Sequence, residues 1–163
     1  MGIKIIFLDI DGVLNCDKTI KRLAIDNRFT FVDTRKVLRL RDIVERTGAQ
    51  LILSSTWRHG ILPSGLCLDK VAYIELVEEF RRLRCPIWKD ITPYLPKAKR
   101  WQEINAWLLT HEVDNFVILD DLGEDEFGPM MEHLVQCNPK VGLTKERAEL
   151  VIKMLGGLEW RTE

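Results

Sequence analysis

The sequence predicts an α/β layered fold built on a central, mainly parallel sheet. Three observations support this prediction: short apolar runs of strand length, amphipathic helical segments between them, and polar residues at the end of each run. Runs that are almost continuously apolar are typical of strands buried on both faces of a parallel sheet. Strands that alternate with helices favour right-handed crossovers and a layered arrangement.

Four segments are predicted to be strands. The three strongest are IKIIFLD, AQLILSS and NFVILDD, at residues 3–9, 49–55 and 115–121. The fourth, HLVQCN at residues 133–138, is amphipathic, which predicts a position nearer the edge of the sheet.

Apolar residues at helical spacing predict four helices, within residues 33–48, 69–86, 100–111 and 144–157. Asp33 or Thr34 can cap the first helix, and Gly48 can end it in the left-handed conformation. Thr144 and Gly156 are expected to do the same for the last helix. In the second helix, the spacing predicts a buried face made of Val71, Ile74, Val77, Phe80 and Leu83.

Length, composition and charge limit the classes of function. The 163 residues contain no internal repeat, low-complexity tract or linker, so residues 1–163 are predicted to form one domain. Lys and Arg number 24 against 25 Asp and Glu, giving a net charge of -1, so any contact with a polyanion must come from a local patch.

The four cysteines form no CxxC pair, which argues against a zinc cluster and a disulfide framework. No apolar run approaches the roughly 20 residues that span a bilayer, and the start of the sequence has no signal-peptide pattern. We therefore expect a cytoplasmic protein without a membrane partner. The sequence does not predict an oligomeric state.

Polar side chains follow the three strongest strands, at the points where those strands end. They are Asp9 and Asp11 after the first strand, Ser54 and Ser55 after the second, and Asp120 and Asp121 after the third. Ligands of open parallel sheets bind at the carboxyl ends of the strands, so these groups are expected to converge. Crowded carboxylates repel one another unless a cation lies among them. Oxygen ligands without nearby cysteine or histidine favour Mg²⁺.

A basic segment completes this predicted site. In PKAKRWQEI, Lys97, Lys99 and Arg100 stand at the start of the third helix. A divalent ion, hydroxyl groups and a basic side chain together form a pocket suited to a phosphoryl group.

Positions in the first motif predict catalytic roles. Asp9, at the tip of the strand, can attack phosphorus and form an aspartyl-phosphate. Asp11 points the same way in an extended chain and can act as the general acid and then the general base. Gly12 permits the sharp turn that follows.

These motifs resemble those of the haloacid dehalogenase (HAD) superfamily of phosphohydrolases. DIDGVLN resembles its nucleophile motif, LILSS its phosphate-binding second motif, and VILDD its acidic fourth motif. More narrowly, LSSTWR, EINAWL, VILDD and HLVQCNPKVGLT resemble the HAD domain of Swiss Army Knife RNA-repair proteins. The resemblance implies a three-layer Rossmann-like HAD fold with a mainly parallel sheet.

The resemblance also implies roles for individual residues. Asp9 is the nucleophile and Asp11 the acid–base, with Mg²⁺ held by Asp9, the main-chain carbonyl of Asp11, and Asp121. Asp120 acts through a metal-bound water or from outside the ligand set. Ser54 binds the phosphate, with the adjacent Ser55 as the rival. The basic third motif stays open between Lys97, Lys99 and Arg100, of which Arg100 and Lys99 are preferred.

The lengths of the connecting segments leave little room for a large cap domain, so the site is expected to be open. By analogy with the family, an open site favours bulky phosphorylated substrates such as RNA or DNA ends or nucleotides. Beside the site, Trp57 either stacks on a nucleobase or fills the core, and Arg58 either meets a backbone phosphate or is solvated.

The sequence therefore predicts a Mg²⁺-dependent phosphomonoester hydrolase, a HAD-type phosphatase that acts through an aspartyl-phosphate in nucleic-acid repair. Two alternatives remain open. One is a phosphate- or nucleic-acid-binding module with little turnover. The other is a small-metabolite phosphatase whose site is capped by a partner subunit.

Overall fold

The computed structural model describes residues 2–19, 32–62 and 67–157. These residues contain a five-stranded sheet in which every neighbouring pair of strands is parallel, in the order β3-β2-β1-β4-β5. The strands are β1 (Lys4–Leu8), β2 (Gln50–Leu53), β3 (Asp90–Ile91), β4 (Asn115–Asp120) and β5 (Leu134–Gln136). The four predicted strands are confirmed, and the amphipathic one, β5, lies at an edge of the sheet as expected.

Helices connect the strands. The α-helices are α1 (Thr34–Thr47), α2 (Cys67–Arg82), α3 (Arg100–Leu108), α4 (Glu124–Phe127) and α5 (Lys145–Met154). Two 3-10 helices, Thr56–Gly60 and Gly128–His133, follow β2 and α4 respectively. None of the helices in the described part of the chain has the length and hydrophobicity that a transmembrane span requires.

The sheet is covered on both faces, so the fold has three layers. Ile6 and Leu8 of β1 belong to a core cluster that includes buried side chains of α1, α2 and α5. Ile5 and Phe7, which alternate with them, belong to a second cluster that includes side chains of α3 and α4. This alternation explains why β1 is apolar throughout, because both of its faces are buried. The three-layer, Rossmann-like α/β fold predicted from the sequence is confirmed.

The predicted helix caps are present. The side chain of Asp33 accepts a hydrogen bond of 2.9 Å from the backbone N–H of Arg35. Gly48 ends α1 in the left-handed region, with φ of 69°. At the last helix, the hydroxyl of Thr144 accepts from the N–H of Arg147. Local sequence signals therefore suffice to set the ends of α1 and the start of α5.

The predicted buried face of α2 is confirmed at Phe80, and Val77 and Leu83 pack against the core partly buried, but it is wrong at Val71 and Ile74. Val71 and Ile74 are 48% and 59% exposed, whereas Leu76 and Phe80 are buried in the core. Apolar residues lie on more than one side of this helix, so helical spacing alone allows two faces. Packing against the sheet and α1 selects the side that carries Leu76 and Phe80.

The sequence also missed β3, which has only two residues, too few to show a pattern. Its residues Asp90 and Ile91 pair with Ile52 and Leu53 at the edge of the sheet. Between β2 and β3, the described residues form one 3-10 helix and α2. No second folded unit accompanies the sheet and its helices within the described residues. The absence of a large cap stays a prediction.

Candidate active site

The strand register brings the predicted site residues to one edge of the sheet. Leu8 is level with Leu53 on one side and with Leu119 on the other. The ladder continues one residue further, because the N–H of Ser54 donates to the carbonyl of Leu8 at 2.8 Å, and the N–H of Asp9 donates to that of Leu119 at 2.9 Å. Asp9, Ser54 and the end of β4 therefore meet at the carboxyl edge.

Three carboxylates cluster at this edge. One oxygen from each of Asp9, Asp120 and Asp121 lies within 4.8 Å of the others. Asp9 and Asp120 are 5% and 1% exposed. Asp120 Oδ1 accepts a hydrogen bond from the N–H of Leu122 at 2.9 Å, whereas Oδ2 is buried and has no hydrogen-bond partner in the described part of the chain. An unpaired buried carboxylate oxygen is costly, so this donor set fits a hard divalent cation such as Mg²⁺.

Gly12 permits the close approach of Asp121. Its φ is +74°, and a Cβ added there would lie 2.4 Å from Asp121 Oδ2. Even a methyl group would therefore displace a carboxylate of the cluster. The sequence predicted a turn at Gly12; the structure adds that the glycine leaves space for Asp121.

Burial raises the pKa of Asp9 to about 7. The positive charge of Arg100 and hydrogen bonds from the Ser55 hydroxyl and the Ile10 N–H act against this rise, and the negative charge of Asp121 adds to it. Burial and the negative charge of Asp9 raise the pKa of Asp120 well above its usual value. A cation bound among these groups favours their ionised forms and opposes both shifts.

The two serines after β2 differ in their contacts. The Ser55 hydroxyl binds the Asp9 carboxylate and also accepts a hydrogen bond of 3.3 Å from the N–H of Trp57. Ser54 Oγ is buried, and none of the described residues forms a hydrogen bond with it. The geometry therefore leaves the Ser54 hydroxyl available to a ligand, while that of Ser55 supports Asp9.

The three basic candidates also occupy different environments. The charge of Arg100 acts on both Asp9 and Asp120, and its Nη1 atom is buried with no hydrogen-bond partner within residues 2–19, 32–62 and 67–157. Lys99 is exposed, and its Nζ donates to the main-chain carbonyl of Asp125. Lys97 is exposed as well. Arg100 is therefore the basic side chain that the geometry associates with the carboxylates.

Asp11 is held beside this cluster rather than in it. Its carboxylate is absent from the three-carboxylate group found among the described residues. Asn15 Nδ2 donates to Asp11 Oδ1 at 2.9 Å, and Trp57 Nε1 donates to Oδ2 at 3.0 Å. The role of Asn15 was not predicted, although this residue stands four positions after Asp11 in the motif. For Trp57, only stacking or packing was predicted.

Comparison with known families gives one match. The family model of the HAD domain in Swiss Army Knife RNA repair proteins matches residues 5–148. The chain belongs to this HAD family. Comparison with curated proteins, and with solved structures, finds no match.

Membership of the HAD family implies a phosphohydrolase-type domain, and the carboxylate cluster is able to bind a metal. One carboxylate oxygen of Asp120 lies within 4.8 Å of those of Asp9 and Asp121. Whether Asp120 acts through a metal-bound water or from outside the ligand set stays a prediction. The contribution expected from the main-chain carbonyl of Asp11 stays a prediction.

Arg58 of this HAD domain fits neither interpretation drawn from the sequence. It is 2% exposed, and its Nη2 atom donates to both carboxylate oxygens of Glu103, at 2.8 Å each. Nη1 donates to the Thr92 hydroxyl at 2.9 Å. Arg58 is therefore a buried connection between the 3-10 helix after β2 and α3, neither solvated nor directed at a phosphate.

Proposed function

We propose that this HAD domain is a Mg²⁺-dependent phosphomonoester hydrolase that acts through an aspartyl-phosphate on Asp9. The observation that carries the proposal is the cluster of Asp9, Asp120 and Asp121, with Arg100 close enough to influence two of its members. An arrangement of carboxylates and one guanidinium suits a phosphoryl group between a cation and a basic side chain.

Each residue has a role in this proposal. Asp9, Asp120 and Asp121 would hold Mg²⁺, with Asp11 contributing its main-chain carbonyl. When bound, the ion neutralises the crowded carboxylates and polarises a phosphoryl oxygen. Ser54 Oγ and Arg100 Nη1, two buried donors with no partner among the residues that the structure describes, would bind the phosphoryl oxygens.

The proposed reaction has two steps, transfer of the phosphoryl group to Asp9 and hydrolysis of the aspartyl-phosphate. An oxygen of Asp9 attacks phosphorus while the bond to the leaving oxygen breaks, and that oxygen takes the proton of Asp11. Water then attacks the aspartyl-phosphate, its proton returns to Asp11, and the bond between phosphorus and Asp9 breaks. Both carboxyl groups end in their starting states.

Hydrolysis of p-nitrophenyl phosphate tests this proposal. We expect activity in the wild type with Mg²⁺, and loss with EDTA or in Asp9→Asn. Asp42→Asn is the matched control, because Asp42 lies on α1 and pairs with Arg46, away from the site. Equal rates in all four samples, or no rate above background in any, would refute the proposal.

As substrates we propose nucleic-acid ends or nucleotides. The description of the family, as a domain of RNA repair proteins, supports this choice. The absence of a large cap among the described residues also supports it. A panel of 3′- and 5′-phosphorylated RNA and DNA oligonucleotides, nucleoside monophosphates and phosphopeptides tests it. A preference for phosphopeptides, or for small phosphorylated metabolites added to the panel, would contradict the choice while leaving the phosphatase proposal intact.

A further inference from the structure

Asp11 has an unusually fixed side chain for a residue at the protein surface. It is exposed, yet each of its two carboxylate oxygens accepts a hydrogen bond from a different part of the chain. Rotation about the last side-chain torsion of an aspartate has broad minima, so an exposed carboxylate is normally free to turn. Two donors on opposite oxygens restrict that rotation.

The first donor is itself oriented by the motif. Asn15 is 4% exposed, and its Oδ1 accepts from the backbone N–H of Gly12 at 2.9 Å. That contact fixes which end of the amide is which, so Nδ2 faces Asp11. Within this turn, the Asn15 amide therefore pairs with the Gly12 N–H through its oxygen and with the Asp11 carboxylate through its nitrogen.

The second donor, Trp57, lies in the 3-10 helix that follows β2. The ring of Trp57 is partly buried and packs against the larger core cluster, so its Nε1 is held at 3.0 Å from Asp11 Oδ2. The backbone N–H of the same residue donates to Ser55, whose hydroxyl binds Asp9. Residues 55–57 therefore contact both aspartates of the first motif.

We propose that Trp57 and Asn15 are positioning residues, which hold Asp11 where it can give its proton to the leaving oxygen. This inference rests on the proposed phosphatase function. Neither residue touches the reacting atoms in the two steps above; both act through Asp11. A displacement of about 1 Å in a reacting group costs up to ~10²-fold in rate, so the loss of one donor has a measurable effect.

The decisive experiment varies the leaving group. p-Nitrophenolate leaves with little need for a proton, whereas phenolate or an alkoxide needs one. The ratio kcat/KM reports all steps through formation of the aspartyl-phosphate. In Trp57→Phe we expect it to fall about ten-fold or more for phenyl phosphate and about three-fold or less for p-nitrophenyl phosphate, since general acids supply ~10²–10⁴-fold.

Trp107→Phe is a matched control. It removes an indole N–H that also donates to an aspartate, at 2.8 Å from Asp90 Oδ2, and Asp90 lies outside the carboxylate cluster. We expect this variant to change kcat/KM for the two substrates by the same factor. If Trp57→Phe also changes both values by the same factor, or changes neither value, the inference is overturned. Activity of the wild type would still leave the phosphatase proposal intact.

Asn15→Ala provides a second, independent variant, and we expect it to show the same selective loss with phenyl phosphate. If Trp57→Phe does not fold, as judged by urea denaturation, Asn15→Ala decides alone. If both variants lose folded structure, the two residues are structural and the positioning role is wrong. An inactive wild type instead overturns the phosphatase proposal, and the inference with it.

Discussion

Gly12 shows how much of the candidate site depends on a missing side chain. Its positive φ is a conformation that glycine adopts without cost, and Asp121 occupies the space where a Cβ would lie. The first and fourth motifs are more than a hundred residues apart in the sequence. At Gly12 they approach so closely that no side-chain atom fits between them. A glycine can be recognised in a sequence as a turn residue, but the residue it accommodates cannot.

We predict that Gly12→Ala lowers phosphatase activity at least ten-fold and raises the Mg²⁺ concentration needed for half-maximal rate. The added methyl group displaces the Asp121 carboxylate, and the left-handed backbone costs about 1–2 kcal/mol of folding stability. Titration of activity with Mg²⁺ measures the first effect, and urea denaturation measures the second.

Gly48→Ala is the matched control for that variant. Gly48 has nearly the same φ, +69°, but no atom lies within 4 Å of its added Cβ. We expect a similar loss of stability with unchanged Mg²⁺ dependence. Equal Mg²⁺ dependence in Gly12→Ala and the wild type would show that the close approach to Asp121 does not matter for metal binding.

At the scale of elements, the connection between the 3-10 helix after β2 and α3 organises one side of the site. Arg58 and Glu103, both almost fully buried, form an ion pair at 2.8 Å. Glu103 Oε1 also accepts from the N–H of Leu95, in the loop that leads to α3. Arg100 begins α3, so this pair contributes to the position of the helix that carries the basic side chain.

We predict that breaking this pair costs about 3–5 kcal/mol of unfolding free energy, because one buried charge is left unpaired. Arg58→Met and Glu103→Leu each test this, and the double variant should recover part of the loss. The exposed pair Arg81–Glu78 is the control, and its removal should change stability by less than about 1 kcal/mol. Additive losses in a double-mutant cycle at Arg58 and Glu103 would contradict the prediction.

Some secondary-structure elements could be predicted from the sequence and others could not. The continuous apolar strands β1, β2 and β4 and the caps of α1 were predictable, because burial on both faces and capping leave local signals. The buried side of α2 was not, since Val71 and Leu76 are equally apolar and only the packing distinguishes them. The two-residue strand β3 depends on pairing with β2, which no local pattern encodes.

The candidate site also has parts that could be predicted from the sequence and parts that could not. The three strand ends could be located because parallel strands end at one edge, so Asp9, Ser54 and Asp120 were predicted together. The partners of Arg58 and Trp57 could not be predicted. They lie 45 and 46 residues away along the chain, in Glu103 and Asp11, and a single sequence carries no record of such pairs.

For the whole molecule, the crowded carboxylates link folding to pH and to the cation. With burial raising the pKa of Asp9 from its usual value of 3.8 to about 7, the folded protein holds a proton that the unfolded chain releases. The stability that Asp9 contributes is therefore present below about pH 4 and is lost as pH rises towards 7. This dependence of stability on pH has the opposite direction to that of a carboxylate whose pKa is lowered by an ion pair.

We predict that, with EDTA, the free energy of unfolding falls with rising pH between about pH 5 and pH 7, by up to about 1.4 kcal/mol per pH unit from Asp9 alone. Mg²⁺ should offset this loss, so its stabilising effect is larger at pH 8 than at pH 5. Urea denaturation with and without Mg²⁺ at both pH values measures the effect. An effect of Mg²⁺ that is the same at both pH values, or absent, would contradict the prediction.

Three buried atoms at the site, Ser54 Oγ, Arg100 Nη1 and Asp120 Oδ2, have no hydrogen-bond partner among the described residues. Burying these atoms without partners costs free energy, and a cation at the carboxylate oxygen together with an oxyanion at the two donors recovers that energy. A tetrahedral oxyanion such as tungstate, added together with Mg²⁺, should therefore raise the melting temperature by more than the sum of the increases that each gives alone. The melting temperature would then report whether a phosphoryl mimic is bound, even when no substrate has been turned over.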